Sequence, residues 1–250
     1  MNVEQITPES RQHRCSMKPA LRRRVIAEFT GTLLLLATVV GSGIMGERLA
    51  AGNVALALLV NTLATGAALI AIILAFGPIS GAHLNPAVSL ADAWQGGIQW
   101  RETPAYILAQ VAGAFAGVAV AHLMFGVSVL EVSTHVRSGA GQIFSEFIAT
   151  FGLLAVIWGC VRQRPSAVPY AVGAYITAAY WFTASTSFAN PAVTLARSAT
   201  NTFAGIRPAD VGGFIAAQLA GAFVATLLFQ WLMPVLKAEP TALFVEHDRV

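Results

Sequence analysis

The tripeptide Asn-Pro-Ala occurs twice in this chain, and its neighbours are repeated with it. Residues 84–91 read LNPAVSLA and residues 189–196 read ANPAVTLA. Each half also opens with a Glu-Phe pair (Glu28 and Glu146) in an apolar run, and each closes with AQxAGAF at 109–115 and 217–223. A chance repeat of a short motif would not carry its neighbours at nearly constant separation. The chain is therefore an internal duplication, and its fold must be built from two similar halves.

The composition places both halves in a membrane. Hydrophobic residues make up 56% of the 250 residues and charged residues only 11%, with a mean hydropathy of +0.67, whereas about a quarter of a soluble protein is charged. Six apolar runs are long enough for membrane-spanning helices, which need about 20 residues. They cover residues 25–45, 54–76, 104–125, 143–161, 168–184 and 211–233. The first run is too long for a signal peptide and is predicted to be retained.

The two Asn-Pro-Ala motifs open segments that are too short to span a membrane, from residue 85 to about 93 and from residue 190 to about 199. Asn is a favoured N-cap residue and Pro is favoured at the first helical position. We therefore predict two half-helices that dip into the membrane. Irregular backbone at that depth is tolerated where it is buried in protein or lines a wet cavity.

The distribution of basic residues predicts the orientation. Eleven Lys and Arg residues lie in the two termini and the second and fourth loops, and four lie in the other loops, so both termini are predicted to be cytoplasmic. Three spans in each half then give the halves opposite orientations, with the two half-helices meeting near the midplane. The predicted organisation is a tail at 1–21, a channel domain at 22–234 (halves at about 22–126 and 142–234) and a second tail at 235–250.

The sequence contains no residue pattern typical of nucleic-acid binding, metal binding or catalysis. The net charge of +3 does not form a basic stripe for nucleic acid. Cys15 and Cys160 lie in a polar tail and an apolar run, and no His, Cys, Asp or Glu set has metal-ligand or catalytic spacing. No cofactor, metal or enzymatic activity is expected.

The paired motifs, together with AEFxGT from Ala27 and SGAHxNPAV from Ser80, resemble the aquaporins of the major intrinsic protein family. The resemblance implies an all-α membrane protein with six transmembrane helices and two re-entrant half-helices. It also implies a multi-pass protein of the plasma (inner) membrane, a homotetramer with one pore per subunit, and small neutral solutes as substrates. Glu28 and Glu146 would then face inward and accept hydrogen bonds from the re-entrant loops.

The half-helices give the pore a mechanism. Each carries about half a positive charge at its N-terminus, so two such ends at the midplane form a barrier to cations. The pore motifs contain Asn85, Pro86, Ala87, Asn190, Pro191 and Ala192. Their two Asn side chains would cap the half-helices and offer N–H donors to a passing oxygen.

The selectivity filter departs from the family. Aquaporins usually have Arg three residues after the second Asn, where this chain has Val193. Family offsets assign the other filter positions to Thr65, Ala178 and Ser187, which are all small. The expected filter is therefore wide and uncharged.

Two further residues have alternative interpretations. His83 would line the pore, where it could sense pH, or be a buried histidine with satisfied hydrogen bonds. Arg197, one turn beyond Val193, would either supply positive charge at the outer mouth or extend to the membrane interface, and the second interpretation is slightly favoured.

The filter and the stretch 38–45, TVVGSGIM, also resemble a bacterial subgroup associated with arsenic resistance. The predicted function is thus a passive channel for water, glycerol and metalloid acids such as arsenite, and for methylated arsenicals. The alternatives are a secondary transporter coupled to an ion gradient and a channel that mainly conducts water.

Overall fold

The computed structural model describes residues 19–233. Most of the predicted N-terminal tail, with Cys15, and the predicted C-terminal tail lie outside these residues. The described residues form eight α-helices and two short 3-10 turns at Pro165–Ala167 and Arg197–Ala199. The helices are α1 (Leu21–Leu49), α2 (Val54–Ser80), α3 (Pro86–Gln95), α4 (Thr103–Phe125), α5 (Ala140–Gln163), α6 (Val168–Phe182), α7 (Pro191–Ala196) and α8 (Pro208–Leu232).

The predicted all-α class is confirmed. Five helices, namely α1, α2, α4, α5 and α8, are long and apolar enough to cross a membrane. The fifth predicted span is the exception, because α6 has only 15 residues and extends about 22 Å at 1.5 Å per residue. The 3-10 turn at Pro165–Ala167 precedes this helix directly.

The half-helices α3 and α7 begin where the sequence predicts. Asn85 is extended (φ −156°, ψ 119°) and its side chain accepts a hydrogen bond from the Ala87 N–H. Asn190 has nearly the same conformation (φ −156°, ψ 114°) and accepts from Ala192 and from Val193. In both cases Pro occupies the first helical position, where its missing N–H costs nothing.

The two halves pack in the same way. Helix α1 packs against α2 and α4, and correspondingly α5 packs against α6 and α8. Contacts between α2 and α6 join the halves. The half-helix α3 contacts α4 and α8, and α7 contacts the same two helices. Each half-helix is therefore held by a long helix from both halves.

The repeated AQxAGAF sequence has a packing reason. A Cβ atom on Gly113 in α4 would lie 2.3 Å from the Phe29 carbonyl oxygen in α1. A Cβ atom on Gly221 in α8 would lie at the same distance, 2.3 Å, from the Phe147 carbonyl oxygen in α5. Only glycine permits the backbones to approach this closely, and small residues serve this purpose in membrane helix pairs.

An ion pair joins the start of α1 to the start of α4. The Arg24 guanidinium donates to both carboxylate oxygens of Glu102, at 2.7 and 3.0 Å. The hydrogen bonds from Arg24 lower the pKa of Glu102 below its usual value. A bidentate pair of this kind fixes geometry as well as charge. It ties the two helix ends on the side of the bundle opposite to the loop that connects the halves.

Gly221→Ala is predicted to destabilise the protein, because the added methyl group would separate α8 from α5. The expected loss is about 1–3 kcal/mol, the usual cost of overpacking. Gly212→Ala in the same helix is the matched control, because a Cβ there meets no atom within 4 Å, and it should be neutral or slightly stabilising. Thermal unfolding of both variants in detergent measures the difference. Equal unfolding temperatures would show that the close approach at Gly221 is unimportant.

Candidate functional site

The two Asn-Pro-Ala motifs meet at the centre of the bundle. The side-chain Nδ2 of Asn85 donates to the Ala189 carbonyl oxygen at 2.8 Å, and Nδ2 of Asn190 donates to the Leu84 carbonyl oxygen at 2.8 Å. The Oδ1 atoms of both residues cap their own half-helices. An amide nitrogen has two hydrogens, so each Asn keeps one N–H for another partner.

The loops that precede the half-helices adopt an unusual backbone conformation. Ala82 and Leu84 in the first loop have φ of 46° and 52°, and Ser187 and Ala189 in the second have φ of 51° and 49°. Non-glycine residues at positive φ are uncommon and costly. The surrounding structure must therefore hold both loops in place.

Glu28 holds the first loop. Its carboxylate has no exposed surface and accepts hydrogen bonds from the backbone N–H groups of His83 (3.0 Å) and Leu84 (2.6 Å). The Ser80 hydroxyl donates to it at 2.6 Å and the Gln110 amide at 2.8 Å. A buried carboxylate is stable only with such partners.

Glu146 does the same for the second loop. It is also fully buried and accepts from the N–H groups of Phe188 and Ala189, each at 2.9 Å, and from the Gln218 amide at 2.6 Å. The two carboxylates occupy equivalent positions in the duplicated halves. Each one satisfies loop N–H groups that have no helix or sheet partner.

A cavity of about 280 Å³ runs past both Asn side chains. Its wall is mostly apolar. The lining includes Leu35, Val39, Leu69, Ile73, Leu153, Ile157, Trp158, Val161, Val168, Val172 and Ile176, together with the re-entrant loops. Each half-helix runs from its Asn at the centre toward one end of the cavity. His83 lines one end, the His83 end, and Arg197 lines the other, the Arg197 end.

Three of the four predicted filter residues line this cavity. Thr65, Ser187 and Val193 are 2%, 3% and 5% exposed and belong to its wall. The fourth, Ala178, does not: it is exposed on the outer side of α6, and Tyr180 lines the cavity instead. The Tyr180 hydroxyl lies 3.3 Å from Oγ1 of Thr65.

Helical geometry explains why Tyr180 lines the cavity and the predicted residue, Ala178, does not. Two residues turn a helix by about 200°, which moves a side chain to the opposite face. The cavity-lining residues of α6 are Val168, Val172, Ile176 and Tyr180, spaced four apart as one helical face requires. This row of bulky side chains, four residues apart, is the pattern in the sequence that indicates Tyr180. Counting back from Asn190 by the family's usual number of residues leads to Ala178 instead.

Arg197 lies in the cavity wall, not at the membrane interface. It is only 2% exposed, and its Cζ sits 3.4 Å from the ring centroid of Phe188. Its Nε donates to the Ala204 carbonyl oxygen. The expected uncharged filter is therefore wrong at this end, because the cavity wall contains an arginine one turn beyond Val193.

Sequence reasoning also missed Phe188 and Arg137. Phe188 lines the cavity beside Ser187. Arg137 belongs to the loop that connects the two halves, residues 126–139, and its Cζ lies 5.0 Å from the Phe188 ring centroid. Burial lowers the pKa of Arg137. No motif marks this loop residue, so only the tertiary structure could place it.

His83 lines the opposite end of the cavity with Asp92. Its Nδ1 lies 3.1 Å from the Ser89 hydroxyl and its Nε2 lies 3.5 Å from Oδ2 of Asp92. Both ring nitrogens thus have polar neighbours, as expected for a satisfied histidine, and the residue is also part of the pore wall. Within residues 19–233, no three His, Cys, Asp or Glu residues are grouped to hold a metal ion.

Comparison with known proteins identifies the family. Residues 15–177 match the family described as major intrinsic protein. The chain belongs to this family.

Its relatives extend the match along the chain. This major intrinsic protein is 58% identical to the aquaglyceroporin AqpS of Rhizobium meliloti (strain 1021) over 213 residues, which cover 85% of this chain and 91% of the relative. It is 32% identical to aquaporin NIP1-4 of Oryza sativa subsp. japonica over 218 residues, which cover 85% of this chain and 76% of that relative. The X-ray structure of the aquaglyceroporin from Plasmodium falciparum shares the fold, with a TM-score of 0.68 and 24% identity over 86% of this chain and 97% of that one.

Glu146→Gln is predicted to disrupt the second re-entrant loop. The neutral amide would turn an NH₂ group toward the loop N–H donors and lose charge-assisted hydrogen bonds of about 1.5–3 kcal/mol each. We expect a lower unfolding temperature and loss of solute flux per purified molecule. Glu47→Gln, at an exposed position near the end of α1, is the control and should change neither. Normal flux in the Glu146 variant would contradict the role given to this carboxylate.

Proposed function

We propose that this protein is a passive transmembrane channel for water, glycerol and other small neutral polar solutes. The observation that carries the proposal is the contact of two Asn-capped half-helices on the wall of one cavity, with Asn85 and Asn190 bonded across to the opposite loops. A channel of this kind needs no energy source, and the direction of flux follows the solute gradient.

The half-helices provide the selection against cations. Their N-termini carry partial positive charge and meet on the wall of the cavity. A neutral solute accepts hydrogen bonds from the free N–H groups of Asn85 and Asn190 as it passes. A cation loses its hydration there and meets only donors, which raises its barrier.

The apolar wall opposite the loops complements this line of donors. Residues such as Val39, Ile73 and Ile176 offer no hydrogen bonds, so a solute must exchange its partners along one side of the pore. Glycerol has a carbon backbone on one side and hydroxyl groups on the other. An apolar wall facing a polar strip suits such a molecule better than a fully polar pore would.

We further propose that neutral metalloid acids, arsenite in particular, use the same path. Arsenous acid and glycerol are both small, neutral and carry three hydroxyl groups. Val193 leaves space where an arginine would narrow the pore, which supports passage of methylated arsenicals too. The hydroxyl of Ser187, a residue of the cavity wall, is buried and has no hydrogen-bond partner among the described residues.

The assignment of membrane and assembly is also part of the proposal. The protein is a multi-pass membrane protein, with large apolar side chains exposed along its helices, such as Leu34, Leu63 and Leu108. We place it in the plasma (inner) membrane with both termini cytoplasmic, as its basic residues indicate. The Arg197 end then faces outward. A homotetramer with one pore in each subunit completes the proposal.

The channel is predicted to equilibrate glycerol without regard to a proton gradient, because isolated carboxylates engaged in loop bonding form no proton relay. Uptake of labelled glycerol by proteoliposomes, with and without an imposed pH difference, tests this. Accumulation above the external concentration would identify a coupled carrier instead. Fast water flux without glycerol flux would identify a mainly water-conducting channel.

Val193→Arg is predicted to narrow the pore. The long side chain would reduce passage of methylated arsenicals first, then glycerol and arsenite, and water least. It would also raise the barrier to cations, because a guanidinium in a partly dry pore repels them strongly. Val193→Leu adds bulk without charge and separates the two effects. Unchanged permeability ratios in both variants, measured by swelling and uptake, would show that Val193 does not lie at the constriction.

A further inference from the structure

The connecting loop places a charged residue, Arg137, beside the cavity-lining ring of Phe188, and hydrogen bonds fix it there. Nε of Arg137 donates to the Gly205 carbonyl oxygen at 2.8 Å, and its terminal nitrogens donate to the carbonyl oxygens of Ser185 (3.2 Å) and Phe203 (3.4 Å). Its backbone N–H donates to Oδ2 of Asp210 at 2.8 Å. Two segments, 185–186 and 203–205, therefore hold this side chain, and Asp210 holds its backbone.

Arg197 approaches the same place from the half-helix α7. Its guanidinium and that of Arg137 both lie over the ring of Phe188, at 3.4 and 5.0 Å from the centroid. The hydrogen bond from Nε to Ala204 fixes the Arg197 side chain. Its terminal nitrogens have no hydrogen-bond partner among the described residues, although the residue lines the cavity and is 2% exposed.

In the part of the chain that the structure describes, the carboxylate of Glu146 attracts both guanidinium groups, but it does so from a distance. Neither guanidinium forms an ion pair there. The carboxylate of Glu146 is occupied by the N–H groups of the second loop, and Asp210 pairs with Arg207 at 2.8 Å. Like charges that are close together and shielded from water are costly, and an anion placed between them would offset that cost.

We propose that Arg137 and Arg197 form a binding site for a small oxyanion at the Arg197 end of the pore. The terminal nitrogens of Arg197 supply charge-assisted donors, and Arg137 supplies the second positive charge. The oxyanion is a carboxylate or the deprotonated oxygen group of an oxyacid, because planar guanidinium groups bind such oxygens best.

A bound oxyanion would occupy the path of neutral solutes. Arg197 and Ser187 belong to the same cavity wall as Val193, so the anion and glycerol compete for this end of the pore. The inference rests on the proposed channel function and deepens it, since it assigns an inhibitory class of anion to the outer mouth. The small side chain of Val193 leaves room for the anion, because an arginine at this position would fill the space next to Asn190.

The test uses methanesulfonate as the oxyanion and dimethyl sulfone as its neutral analogue of similar size. Glycerol uptake by proteoliposomes is measured with increasing external methanesulfonate, with chloride replacing it at constant ionic strength. We expect saturable inhibition of glycerol uptake by methanesulfonate and no comparable inhibition by dimethyl sulfone. Equal inhibition by both compounds, or by neither, would overturn the proposal.

Substitutions assign the effect to the two arginines. Arg137→Gln and Arg197→Gln should each raise the half-inhibitory concentration of methanesulfonate by about tenfold or more, as loss of a charge-assisted interaction predicts. Each variant is compared with its own uninhibited flux. Arg48→Gln is the matched control, because Arg48 is exposed and bonds to the Phe125 carbonyl oxygen beside the start of the connecting loop. Inhibition that is the same in all three variants would refute the site.

A second measurement keeps the result independent of flux. The unfolding temperature of the purified protein in detergent should rise with methanesulfonate relative to chloride, and this rise should disappear in the Arg137 and Arg197 variants. If wild-type vesicles take up no glycerol, the channel proposal fails while the thermal measurement still decides the anion site. If Arg197→Gln does not fold, the thermal measurement is made on Arg137→Gln and on Arg197→Lys, which retains the positive charge. Their unfolding temperatures with methanesulfonate and with chloride then decide whether the anion site exists.

Discussion

Two buried carboxylates hold the centre of this molecule together. Glu28 and Glu146 have no exposed surface, and each accepts two consecutive backbone N–H groups from a loop that enters the bundle without secondary structure. Without these acceptors the loop N–H groups would be buried and unpaired, at a cost of about 1–3 kcal/mol each. The loops also contain residues at positive φ. The carboxylates therefore stabilise a strained backbone whose only evident use is to point two half-helices at each other.

The internal duplication explains why the supporting contacts occur in pairs. Gln110 donates to Glu28 and to the Ser89 hydroxyl, and Gln218 donates to Glu146 and to the Thr194 hydroxyl. Gly113 and Gly221 permit the same close helix approach, to 2.3 Å from a carbonyl oxygen for an added Cβ. A single half could not enclose its own loop, because each half-helix packs against long helices from both halves.

Selectivity resides where the halves differ. One end of the cavity contains His83, whose Nε2 lies 3.5 Å from Oδ2 of Asp92. At the other end of the cavity, the guanidinium of Arg197 lies over the ring of Phe188, and the guanidinium of Arg137, from the connecting loop, lies near the same ring. The centre is nearly symmetrical, because the two capped half-helices meet there in equivalent conformations. The mouths are not symmetrical, so each can recognise a different solute chemistry.

The sequence alone determined the duplication and the half-helices, because each of these depends on local capping or on an apolar pattern that repeats. The role of Glu28 and Glu146 in holding the loops came from the family resemblance. Family offsets from the two motifs placed Thr65, Ser187 and Val193, which line the cavity. The tertiary structure alone decided the rest. Tyr180 replaced Ala178 because a shift of two residues reverses a helical face, and Arg197 became buried because the segment after α7 folds over it. Arg137 reached the ring of Phe188 from a connecting loop, where no periodic signal exists and only long-range packing fixes the side chain.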